Sequence, residues 1–318
     1  VIPKESVPSL RAMAATMAQQ APISADLLTM LTDDLENDGP AARMLADHPD
    51  AAAPLYYLRA LAGVRLLILT GRAPELEAHL AGVVSHRGDP AYAEHTRDLF
   101  RRTLFSHPDE IRSAMDRPIQ QHQPGRAGYL LRGLGMLAAP KVRLLEIGAC
   151  AGLNLILDHY RWCGPDWEWG APSSAVRLAT SGPHPGDIEI VHRAGCDIAP
   201  RDAADPDDAA ILRSFLPVEL EADRLELDNA IELAAFLRVR VDKADAVEWL
   251  RAELSRPAEA DTYTVVWHSL FWLYLDPGDR SAIEGIMAAA ARHMRLARIC
   301  YEPHAWGAVP QLQVIAYS

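Results

Sequence analysis

The stretch Leu144-Leu145-Glu146-Ile147-Gly148-Ala149-Cys150-Ala151-Gly152-Leu153-Asn154-Leu155 decides how this chain is read. It starts as an apolar strand, passes through a loop of small residues and resumes as a helix. Strand, glycine loop and helix in that order open parallel α/β sheets and hold nucleotide-like ligands at the loop. The glycines are spaced GxxxG, with Cys150 standing where a third glycine is expected. There is no GxGxxG dinucleotide fingerprint, and no Lys-Ser/Thr follows to make a phosphate-binding P-loop. Gly148 permits a sharp turn, Gly152 a close start to the helix, and Ala149, Cys150 and Ala151 leave room for a ligand. Glu146 puts a carboxylate at the strand end. It repels a pyrophosphate and suits a ligand with an amino group and a sulfonium.

Downstream, strand and helix alternate. KVRLLEIG (141–148), DIEIVHRAGCD (187–197), RVRVDKAD (238–245), TYTVVWHS (262–269), RLARICYEP (295–303) and QLQVIAYS (311–318) predict six strands. Helices are expected over LNLILDHYRW (153–162), DPDDAAILRSFL, ELDNAIELAAFL, AVEWLRAEL and DRSAIEGIMAAAARHM. This rhythm predicts a doubly wound, mostly parallel, Rossmann-like α/β sheet over residues 121–318. The segment 163–187, rich in Pro, Gly and Trp, interrupts it as an insertion, either a packed surface loop or a ligand lid. Residues 1–120 read as an all-α domain or cap: apolar residues recur at three- and four-residue spacing, and Pro and Gly break the runs.

Composition limits the function classes. The chain has 318 residues and a formal net charge of -12, which argues against nucleic acid or an anionic membrane as partner. The longest apolar run, 58–71, is interrupted by Arg59 and Arg65 and is too short to span a bilayer. The first residues hold no signal-peptide core, and a cytoplasmic protein is expected. The chain opens on Val1 rather than Met and closes on a strand, so both ends are read as cut short. Cys150, Cys163, Cys196 and Cys300 match no compact metal pattern and are expected to be free thiols, with no metal site.

In an open parallel sheet, ligands meet the carboxyl ends of the strands. There the chain resembles the class I S-adenosylmethionine-dependent methyltransferases, whose first motif is an apolar strand followed by (Asp/Glu)-x-Gly-x-Gly-x-Gly. Glu146, Gly148 and Gly152 match it and Cys150 departs from it. The resemblance implies a Rossmann-like methyltransferase sheet with S-adenosylmethionine as cofactor. It also implies cofactor contacts from Glu146, Gly148, Ala149, Cys150, Gly152 and Asn154. In GCDIAP, Asp197 takes the place of the acid that holds the ribose hydroxyls; its other reading is a cap on the next turn. Asp245-Ala246 stand where the adenine is held, and Asp245 is equally an N-cap. In VVWHSLFWLYLDPGDR, His268 and Ser269 face the methyl donor. His268 is the candidate general base, or else a satisfied buried histidine. Trp272 and Tyr274 are core or pocket wall. In QQHQPGRAGYL, Arg126 is either the partner of the donor's carboxylate or a surface arginine, and Gln121 is a candidate substrate contact.

A narrower resemblance, over about residues 120–303, rests on LLEIGACAGLNL, RAGCD, DKADAVEWL and VVWHSLFWLYL. It is to a bacterial family of unknown function with a methyltransferase-like domain. The expected activity is in-line methyl transfer to a small-molecule acceptor; the alternative is a non-catalytic adenosyl-binding or interaction protein that keeps the fold. A nicotinamide oxidoreductase is disfavoured by the missing fingerprint and by the absence of a Tyr-x-x-x-Lys pair.

Overall fold

Proline sets the boundaries of the N-terminal helices. Its fixed φ and missing N–H suit the first turn of a helix and no later position. Helices α2 (Pro22–Glu36), α3 (Pro40–Leu45), α5 (Pro74–Leu80), α6 (Pro90–Ser106) and α7 (Pro108–Met115) each open on one. Helices α1 (Val7–Met17) and α4 (Leu58–Leu69) complete the set. Asp89 caps α6 by accepting the backbone N–H groups of Ala91 and Tyr92. The computed structural model describes residues 2–259 and 261–317. Val1, Ala260 and Ser318, the last of which ends the expected strand 311–318, lie outside the described residues.

The chain divides into two compact units. The first takes in residues up to 121 together with 210–224 and 305–309. Its core joins Leu10, Leu28, Leu31, Leu61 and Leu104, all buried. One polar group is built into it. Ser24 Oγ accepts from the buried Arg65 at 2.8 Å and donates to Glu219 at 2.6 Å. Burial lowers the Arg65 pKa to about 10 despite the nearby Glu219.

The second unit takes in 122–209, 225–304 and residues from 310 on. A 3-10 turn at Pro124–Arg126 leads into α8 (Ala127–Leu137) and then β1 (Lys141–Ile147). The remaining strands are β2 (Arg161–Cys163), β3 (Glu168–Gly170), β4 (Arg177–Ala179), β5 (Glu189–Asp197), β6 (Asp242–Lys243), β7 (Tyr263–Ser269), β8 (Leu296–Glu302) and β9 (Gln311–Tyr317). Helices α9 (Pro206–Ser214), α10 (Glu221–Leu237), α11 (Ala246–Leu254) and α12 (Pro277–Ala290) lie between them in sequence. The six-stranded sheet has the order β6-β5-β1-β7-β8-β9. Every pairing is parallel except β8 with β9. The α/β class and the mostly parallel sheet expected from the sequence are present. Past Lys141, β1 is buried throughout, as a central strand covered on both faces requires.

Two local expectations change. The helix expected at 153–162 is a 3-10 segment, Leu153–His159, broken at Ile156 (φ -109, ψ 25). Trp162 instead lies in β2 and is fully buried, its indole N–H donating to Leu157 O at 2.8 Å. The third expected strand shrinks to the two residues of β6. The insertion supplies β3 and β4, which flank β2 in a second sheet of order β3-β2-β4. Among the described residues no helix is long and apolar enough to cross a membrane.

Candidate functional site

From β1 the sheet builds outward one way through β5 and β6 and the other way through β7 and β8. The carboxyl ends of β1 and β7 therefore flank the point where strand order reverses, the usual ligand crevice of such sheets.

The loop after β1 turns through three left-handed residues, Gly148 (φ 71), Cys150 (φ 52) and Gly152 (φ 70). Only Cys150 carries a side chain there, in a region that disfavours a Cβ. Hydrogen bonds pin the loop. Ala149 N donates to Cys196 O at 2.9 Å, and Gly152 N to Ala149 O at 2.7 Å. Asp197, ending β5, accepts Cys150 N on Oδ2 and Ala199 N on Oδ1, both at 2.9 Å. It therefore holds the loop and caps its own turn. Gly152 is further required by packing, because a Cβ there would meet Val239 at 2.7 Å.

Beneath the loop lies a buried polar floor. Glu146 is 1% exposed, and its Oε1 accepts Asn154 Nδ2 at 2.6 Å. By hydrogen-bond geometry its Oε2 has no partner, nor do Asn154 Oδ1, His122 Nε2 and Trp267 Nε1, all buried, although Trp267 lies close enough to hold the Glu146 pKa down and Asn154 close enough to hold that of His122 up. Burial pushes Glu146 up to about 8, against the opposing pull of Asn154 and Arg126. Burial also pushes His122 down to about 3. Arg126 is partly exposed as a residue, yet its guanidinium lies deep enough for burial to lower its pKa, while Cys150, Glu146 and Glu302 hold it up. Burial thus favours the neutral forms of Glu146 and His122, beside one guanidinium. Burial and Asp197 raise the Cys150 thiol well above its usual range, which disfavours its thiolate.

The turn after β7 is built differently. His268 is 1% exposed. Its Nδ1 lies 2.6 Å from Glu302 Oε1, and its Nε2 accepts Arg298 Nε at 2.9 Å. An Nε2 that accepts leaves the proton on Nδ1, donated to Glu302. Both ring nitrogens are therefore engaged, and burial lowers the pKa against the pull of Glu302. Trp272 stacks on the His268 ring at 5.0 Å, with the Arg298 guanidinium 3.9 Å from its centroid. Leu270 is left-handed (φ 51), and Phe271 N donates to both Glu302 oxygens, at 3.0 and 3.2 Å. This sets the Phe271 ring over the first loop, where a Cβ on Gly148 would meet it at 2.3 Å.

Glu146, Gly148 through Gly152, Asn154, Asp197, Arg126 and His268 thus lie at one end of the sheet. Asp245 is the N-cap of α11, accepting Val247 N and Glu248 N at 2.9 and 3.1 Å, with Ala246 buried behind it. Ala244 N donates to Asp197 O, which ties this helix start to the same edge. Ser269 ends β7, half-buried, and Tyr274 is 48% exposed. Gln121 belongs to the other unit. Glu302, Arg298, Trp267 and His122 are not singled out by the sequence. Glu302 had a signal all the same: like Glu146 and Asp197, it is an acid closing an apolar strand.

The chain belongs to a family described as an uncharacterized protein conserved in bacteria (DUF2332), whose profile matches residues 8–316. No curated protein and no solved structure matches it.

Proposed function

We propose that this protein is an S-adenosylmethionine-dependent methyltransferase that transfers the methyl group in line to a small-molecule acceptor. The observation carrying the proposal is the Glu146 carboxyl, whose buried Oε2 has no partner, beneath a left-handed GxxxG loop at the strand-order reversal. An unsatisfied buried oxygen costs about 1–3 kcal/mol, which a ligand's N–H donor would relieve. By this criterion the residues fit the cofactor. Glu146 and the 148–152 backbone would hold its amino-acid part with Arg126, Asp197 its ribose, and Asp245 and Ala246 its base. Bound, the cofactor would supply an electrophilic sulfonium methyl group. The protein's own work is positioning and exclusion of water. His268, held neutral between Glu302 and Arg298, would orient the Trp272 wall; it acts as a base only if Arg298 releases Nε2.

A second reading has its own support. The Phe271 ring covers Gly148, and both Asp197 oxygens already accept backbone N–H groups. These features favour a binding or interaction protein that retains the fold without turnover. The test is calorimetric titration with S-adenosylmethionine and S-adenosylhomocysteine, with NADH as control, on wild type and Asp197→Ala. Micromolar binding of the adenosyl ligands, at least tenfold weaker in the variant, is expected. No binding to folded protein would leave the second reading. Binding without S-adenosylhomocysteine formation across candidate acceptors would favour a non-catalytic binder.

A further inference from the structure

The 3-10 turn that carries Arg126 has an outer face as well. Gly125, Gly128, Tyr129 and Arg132 recur at helical spacing and line one wall of a groove of about 410 Å³. Ala179, which ends β4, and Thr180 and Ser181 after it line the other. The second wall is anchored. Trp167 Nε1 donates to Gly182 O at 3.0 Å and Trp169 Nε1 to Gly186 O at 3.2 Å, so two indoles hold the 181–186 loop. Small residues on α8 admit it: a Cβ on Gly128 would meet Trp162 at 3.1 Å, and one on Gly135 would meet Pro185 at 3.0 Å. No atom lies within 4 Å of a Cβ placed on Gly125, so that end is open.

The groove's polar groups are unused. Arg132 is exposed, its guanidinium 5.9 Å from the Tyr129 ring centroid, and it has no acidic partner among the described residues. The Tyr129 ring also stacks on Tyr301, at 3.7 Å. That stack orients the ring and leaves Arg132 the cation of the groove. Thr180 and Ser181 bring two hydroxyls that make no side-chain hydrogen bond within the protein among the described residues. A guanidinium with free donors beside two free hydroxyls matches an oxyanion, either carboxylate or phosphate.

We propose that this groove is a binding site for a small organic oxyanion, and that the 163–187 insertion exists to build its second wall. The oxyanion site stands on the groove alone. Its assignment to the methyl acceptor rests on the reading above, under which the acceptor is acidic and lies along the same turn that carries Arg126.

The test is calorimetric titration of the full chain, to tens of millimolar, with benzoate, inorganic phosphate and benzyl alcohol, and with no adenosyl compound present. Failure of the methyl-donor reading then leaves this result untouched. Wild type is expected to bind benzoate or phosphate, the tighter probe naming the acid class, and to bind benzyl alcohol at least tenfold more weakly. Arg132→Ala should lose at least tenfold in affinity, about 1.4 kcal/mol, with Arg132→Lys intermediate. Because Arg132 is exposed, its variants should melt with the wild type. Should they not, Thr180→Val with Ser181→Ala tests the other wall and should weaken binding several-fold. Wild type binding neither anion, benzyl alcohol matching the tighter anion, or full affinity in Arg132→Ala would overturn the proposal.

Discussion

The two turns at the strand-order reversal are built on one plan with opposite contents. After β1, left-handed Cys150 has its own N–H held by Asp197, the acid closing the next strand outward. After β7, left-handed Leu270 is followed by Phe271, whose N–H is held by Glu302, the acid closing the next strand outward on the other side. The first turn is made of Gly, Ala and Cys; the second is Phe, Trp and Tyr. Asp197 is half-buried, so water can reach it, whereas Glu302 is 7% exposed and holds His268 as well. One acid holds open a loop of small residues; the other locks an aromatic wall against it.

The largest effect should come from removing the locked acid. Glu302→Ala strands the buried His268 Nδ1–H, frees the part-buried Phe271 N–H and leaves Arg298 without its relay to a carboxylate. A loss of about 3–5 kcal/mol is expected. Asp197→Ala also frees two backbone N–H groups, but it strands no buried side chain, so about 1–2 kcal/mol is expected. Urea unfolding followed by tryptophan fluorescence checks both. Equal losses would mean that the two clamps are equivalent and that the contrast drawn from burial is empty.

A smaller effect separates the floors beneath the turns. Glu146 is raised to about 8 by burial, while His268 is lowered by burial. The folded chain keeps the Glu146 proton in a range where the unfolded chain has lost it. Stability from this group is full below the ordinary glutamate pKa and is lost as pH rises through about 8. Unliganded protein should therefore lose a few kcal/mol between about pH 5 and 8, and Glu146→Gln should flatten that slope. A cationic ligand at Glu146 favours the ionised form, so its affinity should rise toward pH 8 in wild type and stay level in Glu146→Gln. A wild-type stability profile that does not fall would place Glu146 in contact with water.

The sequence carried this contrast unevenly. Glu146, Gly148, Gly152 and Asp197 were legible because strand ends are marked by a change from apolar run to turn residues, and glycine marks positive φ. Leu270 was not, since nothing in Leu-Phe-Trp-Leu-Tyr distinguishes a strained turn from a core stripe. The helix expected at 153–162 failed for a tertiary reason: Asn154 turns its amide to the buried Glu146, and Trp162 is drawn into the small sheet. The strand expected at 238–245 shortened to β6 for a like reason. Its alternating Val239 and Val241 pack against Gly152 instead of extending the ladder. The Arg298–His268–Glu302 chain joins residues 268, 298 and 302 across two strands, which no local pattern encodes.

The finest test lies at the one residue where the first turn departs from its own logic. Cys150 is left-handed at φ 52, a strain of about 1–2 kcal/mol for a residue with a Cβ. Its side chain is 7% exposed, and burial of so small a group returns about 1 kcal/mol. Glycine would relieve the strain, lose the burial and add freedom to the unfolded chain, which costs about 0.5–1 kcal/mol. The three contributions nearly cancel, so Cys150→Gly should change stability by less than about 1 kcal/mol. A near-neutral result makes the cysteine a tolerated variant in an ordinary glycine loop. A loss well beyond that would show that the thiol fills space the loop cannot do without, and would make the small-residue turn as locked as the aromatic one.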